Sequence, residues 1–139
     1  MAISHFGLPV GKHYKEMRDF YVAILEPLGY KLVREGEGPQ QYCGFGVEGQ
    51  GPEFWLGGGA TENGLEKYDG TLEKRVAPVH VAFNGKDREH VKAWYEHAIK
   101  NGATDNGEPG VRAQYMPGYY AAFILDPLGN NIEVVHMTF

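Results

Sequence analysis

Near its C-terminal end the chain reads Phe123-Ile124-Leu125-Asp126-Pro127-Leu128-Gly129-Asn130-Asn131-Ile132-Glu133. Proline presets the backbone for a turn, and glycine or asparagine tolerates the positive φ angle that a turn needs, so residues 126–130 predict a tight turn. The apolar segments on either side, residues 119–125 and 132–137, predict two strands. This stretch therefore predicts an antiparallel strand pair.

The segments upstream of this hairpin repeat an order that is also found in the first half of the chain. In each half an apolar strand is followed by a helix with one apolar face. The strands are predicted over residues 3–8 and 79–83, and the helical apolar residues are Tyr14, Met17, Tyr21, Ile24 and Leu28 in the first half and Val91, Trp94, Tyr95, Ala98 and Ile99 in the second. Asp87 is placed to cap the second helix, and Gly102 to end it.

Each half is then predicted to finish in three short strands. These cover residues 30–33, 42–47 and 53–56 in the first half and residues 112–116, 119–125 and 132–137 in the second. The order strand, helix, three strands, occurring twice, predicts an α+β fold built by duplication. We expect one domain over residues 1–139, with module one at about 1–60, a linker at about 57–75 and module two at about 76–139.

Composition narrows the classes of function. The net charge is −5 and no basic run is present, which argues against binding to nucleic acid and to anionic membranes. The single cysteine, Cys43, excludes an intrachain disulfide and is expected to pack as a small hydrophobe. Neither a secretory leader nor a run of about 20 apolar residues is found, so a cytoplasmic location is expected.

Three strands each carry one side chain that can bind a metal. Because strand side chains alternate between two faces, His5, His80 and Glu133 are predicted to lie opposite the apolar residues of their own strands. Two imidazoles and one carboxylate form the ligand set of a facial triad, which leaves coordination positions open for a substrate. The alternative is that these are three polar residues on solvated strand faces, and spacing alone does not decide between the two.

The same residues, with their flanking words, resemble the vicinal oxygen chelate superfamily (glyoxalase/bleomycin resistance protein/dioxygenase). The words are Asp19-Phe20-Tyr21, Pro27-Leu28-Gly29-Tyr30 and the C-terminal stretch quoted above, and Tyr119-Tyr120-Ala121-Ala122-Phe123 resembles a subgroup of small glyoxalase-like proteins. The resemblance implies two βαβββ modules that form a cup-shaped mixed sheet, the glyoxalase/bleomycin resistance/dihydroxybiphenyl dioxygenase fold. It also implies a divalent metal ion (Zn, Ni, Mn or Fe) held by His5, His80 and Glu133.

The resemblance assigns further roles to this chain. Glu133 and Glu53 are expected to be catalytic, and Glu53 is a candidate for both a fourth metal ligand and a general base. A place near the start of its strand, next to Pro52, is the argument against the ligand role. The residues expected to bind substrate are Trp55, Arg112, Tyr115, Tyr119 and Tyr120.

Two main functions remain open at this point. The first is a glyoxalase-like, metal-dependent lyase or isomerase that acts on a small oxygen-rich substrate, with the ion as a Lewis acid that stabilises an enolate-like intermediate. The second is metal-free binding of a small molecule, as in bleomycin resistance, for which aromatic walls are suited. An extradiol-type dioxygenase is less favoured, because the acid and base groups that it needs are not identified. The resemblance also implies that the protein can form a homodimer.

Overall fold

The computed structural model describes residues 4–36, 41–57, 67–70 and 79–138. The chain divides into two compact units, Met1–Glu66 and Lys67–Phe139, and each has the order strand, helix, three strands. Each unit contains a four-stranded mixed sheet and one α-helix, so the predicted α+β class with two βαβββ modules is confirmed. Most of the predicted linker, residues 58–66 and 71–75, lies outside the described residues.

The first unit consists of β1 (Phe6–Pro9), α1 (Tyr14–Leu25), β2 (Tyr30–Gly36), β3 (Tyr42–Val47) and β4 (Phe54–Gly57). The strand order is β1-β4-β3-β2, and β1 runs parallel to β4 whereas the other pairs are antiparallel. The helical pattern predicted as far as Leu28 is divided, because α1 ends at Leu25 and Glu26–Leu28 form a 3-10 turn that contains Pro27. Proline cannot donate the helical hydrogen bond that would continue α1.

One face of this first sheet packs against α1. The Tyr21 ring of α1 lies 4.8 Å from the Phe54 ring and 6.5 Å from the Phe45 ring, measured between centroids. All three side chains are fully buried. The opposite face of the sheet, which we call the far face, therefore carries the alternate residues of each strand.

The second unit consists of β5 (His80–Asn84), α2 (Arg88–Lys100), β6 (Thr104–Val111), β7 (Tyr119–Leu125) and β8 (Asn131–Met137). The strand order is β5-β8-β7-β6, with β5 and β8 parallel. Both predicted ends of α2 are confirmed. Asp87 Oδ1 accepts a hydrogen bond from the His90 amide at 2.7 Å, and Gly102 has a φ of 95°.

The strand predicted over residues 112–116 is wrong. The segment Ala113–Tyr115 is a turn, and the strand that pairs with β7 is β6, at Thr104–Val111. β6 was missed because Gly107, Pro109 and Gly110 are typical of loops. It lies at the sheet edge, and its register with β7 shifts twice, between Asp105 and Gly107 and again before Gly110. Edge strands with bulges tolerate proline and glycine because they do not need a continuous ladder.

The predicted turn between the last two strands is confirmed, and Asp126 organises it. Its Oδ1 atom accepts hydrogen bonds from the amides of Leu128 and Asn130 at 2.9 Å each, and its Oδ2 atom accepts one from Asn130 Nδ2 at 2.8 Å. Asn130 Oδ1 in turn accepts a hydrogen bond from the Val79 amide at 3.2 Å. The turn thus holds the start of β5 beside the start of β8.

No helix in the described parts of the chain is long and apolar enough to cross a membrane.

Candidate metal centre and ligand-binding face

The far face of the second sheet, which is the face opposite α2, carries His80 and Glu133. Val81 and Phe83 of β5 are buried while His80 and Ala82 are exposed, as the alternation predicted. Glu133 is the register partner of both Ala82 and Phe123, which lie on the two neighbouring strands. Register partners share a face, so the sheet brings the imidazole and the carboxylate to one side.

The two side chains are in direct contact. His80 Nε2 lies 3.1 Å from Glu133 Oε2, with the carboxylate 3% exposed and the imidazole 51% exposed. The other ring nitrogen, His80 Nδ1, lies 3.0 Å from the Asn131 carbonyl oxygen. Because a carbonyl can only accept, Nδ1 donates to it, and this leaves Nε2 directed at Glu133.

Glu133 is held on its other side by Tyr119. The Tyr119 hydroxyl donates to Glu133 Oε1 at 2.5 Å. Burial, together with this hydrogen bond, raises the pKa of Tyr119 to about 12. The phenol therefore stays a donor at neutral pH, and the position of the carboxylate is fixed.

This arrangement fits a divalent cation. His80 Nε2 and the nearly buried Glu133 carboxylate lie 3.1 Å apart, and either a proton on Nε2 or a metal ion held by both groups satisfies this contact. The Nδ1–H···O=C contact is also the outer contact that metal-binding histidines commonly make. Within the described residues, however, no group of three or more His, Cys, Asp and Glu side chains is arranged to hold a metal ion.

Arg112 and Phe123 lie on the same face of the second sheet. The Arg112 guanidinium carbon is 5.5 Å from the centroid of the Phe123 ring. The ring of His80 also neighbours Phe123, with 6.4 Å between the ring centroids and an interplanar angle of 28°. Phe123 thus contacts both Arg112, a predicted substrate-binding residue, and His80, a predicted metal ligand.

Two of the predicted substrate-binding tyrosines are close to this site and one is not. Tyr115 is exposed, and its ring packs edge-to-face on Tyr119 with 5.3 Å between centroids. Tyr120 is buried, and its ring lies 5.1 Å from the Arg88 guanidinium carbon at the start of α2. The structure therefore places Tyr120 on the helix face, away from Glu133, because consecutive strand residues point in opposite directions.

In the first unit, Trp55 lies on the far face of its sheet, as predicted. Its register partners are Gly7 and Gly44, and a Cβ atom at Gly44 would come within 2.9 Å of the Trp55 ring. Tyr42 lies beside it, with 6.1 Å between the ring centroids. The glycines leave room for the indole to lie against the sheet, and a shallow cavity of about 370 Å³ adjoins Trp55 and Tyr42.

His5 and Glu53 also belong to the first unit. The His5 ring contacts Trp55 edge-to-face at 6.5 Å between centroids, and Ser4 Oγ lies 2.9 Å from its Nδ1. The Glu53 carboxylate accepts a hydrogen bond from the Tyr30 hydroxyl at 3.3 Å. The roles of both residues as ligands stay predictions.

The sequence analysis missed Phe123, Tyr42 and the Asn131 carbonyl. Phe123 has the same strand parity as Tyr119, and Tyr42 the same parity as Gly44, so alternation would have placed both rings on the far faces. The contact of Asn131 is made by its main-chain carbonyl, so its side chain gives no indication of it.

A comparison with family models shows the class of protein to which the chain belongs. The model described as the Glyoxalase/Bleomycin resistance protein/Dioxygenase superfamily matches residues 2–134. The chain belongs to this superfamily, and the resemblance drawn from the sequence is confirmed.

Solved structures agree on the fold. The chain is similar to a glyoxalase/bleomycin resistance protein from Albidiferax ferrireducens T118, with 22% identity, a TM-score of 0.63 and coverage of 99% of this chain and 100% of that one. A glyoxylase/bleomycin resistance protein/dioxygenase domain from Frankia sp. EAN1pec gives 19% identity, a TM-score of 0.73 and coverage of 98% and 97%. Glyoxalase I from Zea mays gives 21% identity and a TM-score of 0.67, and the match covers 99% of this chain but 45% of that one. A comparison with curated proteins finds no match.

Proposed function

We propose that this protein is a glyoxalase-like, metal-dependent lyase or isomerase that acts on a small oxygen-rich substrate. The observation that carries the proposal is the contact between His80 Nε2 and the nearly buried Glu133 carboxylate, with His80 Nδ1 turned to a backbone carbonyl. Burying a carboxylate is costly unless a cation or hydrogen bonds compensate for it. Tyr119 supplies one such hydrogen bond, and a divalent ion would supply the positive charge.

The proposed ligands are His80 and Glu133, and His5 is the third ligand proposed from the sequence. A bound Zn, Ni, Mn or Fe ion would act as a Lewis acid toward two neighbouring oxygens of the substrate. Tyr119 positions the Glu133 carboxylate through Oε1, while Oε2 faces His80 Nε2 at 3.1 Å, where the ion would be held. Glu53 is the proposed general base. The hydrogen bond that the Tyr30 hydroxyl donates to Glu53 fixes the orientation of the carboxylate.

The test is the metal content of protein purified without chelator, measured by elemental mass spectrometry. We expect a near-stoichiometric divalent metal in the wild type, and its loss in His80→Ala and in Glu133→Gln. His97→Ala, which removes a histidine from α2, is the matched control and should retain the metal. His5→Ala tests the third ligand separately, and an unchanged metal content there would remove His5 from the set.

Absence of metal from the wild type, even after incubation with Zn, Ni, Mn and Fe(II) salts, would contradict the enzyme proposal. The second candidate, metal-free binding of a small flat molecule, would then lead. It is favoured by the far face of the first sheet, where Trp55 and Tyr42 adjoin a cavity of about 370 Å³. Base or ring stacking on an indole is a common way to bind such ligands.

That second candidate has its own measurement. A flat aromatic ligand on Trp55 should quench its fluorescence, and Trp55→Phe should abolish the quenching because the remaining Trp94, a residue of α2, is fully buried. Quenching that survives in Trp55→Phe would place the ligand elsewhere. Homodimer formation, also proposed, is checked by sedimentation equilibrium of the same samples.

A further inference from the structure

We propose that Arg112 is an anion anchor on this sheet face and that the substrate therefore carries a carboxylate group. This inference rests on the proposed function for the presence of a substrate, but the binding of the carboxylate to Arg112 does not depend on a metal.

The Arg112 guanidinium is preorganised. Nη2 donates to the Glu108 carbonyl oxygen at 2.7 Å, and Nη1 lies 3.5 Å from the Val111 carbonyl oxygen. The side chain folds back over β6 at two glycines, where a Cβ atom would come within 2.8 Å of Nη1 at Gly110 and 3.3 Å of Nη2 at Gly107. Two missing side chains thus make the space that the guanidinium occupies.

Phe123 completes this placement. The guanidinium lies over one side of the Phe123 ring, at a distance at which a cation is attracted to the aromatic face. Gly107 is the register partner of Phe123, and Phe123 is the register partner of Glu133. The Arg112 guanidinium carbon and the His80 ring centroid lie 5.5 Å and 6.4 Å from the Phe123 ring centroid, so a ligand that reached both groups would extend past this ring.

The remaining hydrogen-bond donors indicate the kind of ligand. A guanidinium has five N–H donors, and the backbone contacts of Arg112 use two of them. Among the described residues its polar contacts are to carbonyl oxygens, which leave the positive charge unneutralised. A planar fork with one charge matches a carboxylate in shape and in charge. A phosphate dianion would require a second cation for the same balance.

The experiment is an NMR titration of the Arg112 side-chain Nε–H resonance with lactate and with its uncharged counterpart, lactamide. Wild type, Arg112→Gln, Gly110→Val and the charge-loss control Lys92→Gln are compared by backbone shifts of β6 and β7, with and without added Zn²⁺. Gly110→Val keeps the charge but displaces the guanidinium, and Lys92 pairs only with exposed Glu89 on α2 among the contacts described. Inorganic phosphate is titrated in parallel.

We expect lactate to bind wild type and Lys92→Gln about tenfold more tightly than lactamide, and we expect Arg112→Gln and Gly110→Val to lose that preference. Equal binding of lactate to wild type and to Arg112→Gln, or no detectable binding to wild type, would overturn the proposal. Tighter binding of phosphate than of lactate would overturn the carboxylate assignment. A preference for lactate that needs Arg112 supports the anchor with or without Zn²⁺, whereas failure of wild type to bind Zn²⁺ would contradict the metal proposal alone.

Discussion

The Tyr119 hydroxyl donates to Glu133 Oε1 at 2.5 Å, across two neighbouring strands of one sheet. The acceptor belongs to a residue that is 2% exposed, so water cannot easily replace the phenol. Tyr119 therefore decides how the carboxylate is oriented toward His80, although it is not itself a proposed ligand.

Tyr119→Phe removes that hydrogen bond and little volume. If a metal binds at His80 and Glu133, we expect its affinity to fall by about ten- to a hundredfold, as for other residues that orient metal ligands. Competition with a chromophoric chelator measures the affinity. Tyr115→Phe, whose ring is exposed, is the control, and an equal loss in both variants would contradict an orienting role.

The turn at Asp126 should be a main source of stability. Asp126→Ala removes three hydrogen bonds from buried donors, and we expect a loss of about 3 kcal/mol in the free energy of unfolding. Asp126→Asn keeps one acceptor oxygen and should lose less. Urea unfolding measures both, and equal losses in the two variants would show that the hydrogen bonds are not the cause.

Substitutions at two glycines distinguish the cost of backbone strain from the cost of a steric clash. Gly102 has a φ of 95° and a Cβ atom there would meet nothing within 4 Å, whereas Gly118 has a φ of 80° and its Cβ atom would collide with the Thr138 carbonyl oxygen. We expect Gly102→Ala to cost about 1–2 kcal/mol from strain alone. Gly118→Ala should cost clearly more in the same urea experiment, and a smaller cost would mean that the end of β8 moves aside freely.

Tyr95 should make stability fall at alkaline pH. Burial, and then a hydrogen bond with Asp105, raise its pKa to about 12 in the folded protein, above the value of about 10 in an unfolded chain. The contribution is complete below about pH 10 and is lost as the pH rises toward 12. Tyr95→Phe should therefore show a shallower decline of the free energy of unfolding over this interval than wild type. Tyr115→Phe is the control, and parallel curves for wild type and Tyr95→Phe would contradict the prediction.

The alternation of apolar residues in strands and their periodicity in helices predicted most of the fold and part of the site. The faces of His80 and Glu133 followed from their apolar neighbours, because a strand that packs on a helix leaves only one side for polar groups. The same rule separates Tyr119 from Tyr120, which were both assigned to substrate binding. Arg88 confirms this separation by stacking on Tyr120 from α2.

The composition of Thr104–Val111 did not predict the strand β6, and the reason is physical. Gly107 and Gly110 weaken the strand signal, yet they provide the space for the Arg112 guanidinium. The position of the Arg112 guanidinium and the 3.1 Å contact of His80 with Glu133 depend on the register of the strands. That register is set by bulges and strand pairing, which no local sequence pattern encodes.

The bond between His80 Nδ1 and the Asn131 carbonyl has a consequence for protein engineering. These residues are register partners at the start of two parallel strands, and the acceptor is main chain. Any amino acid except proline, which would lose the amide hydrogen bond to the Val79 carbonyl oxygen, would supply the same oxygen, so such substitutions keep the acceptor of His80 Nδ1 in place. Position 131 can therefore be varied to reshape the surroundings of the site at the loss of one exposed hydrogen bond, from Asn106 Nδ2 to Asn131 Oδ1.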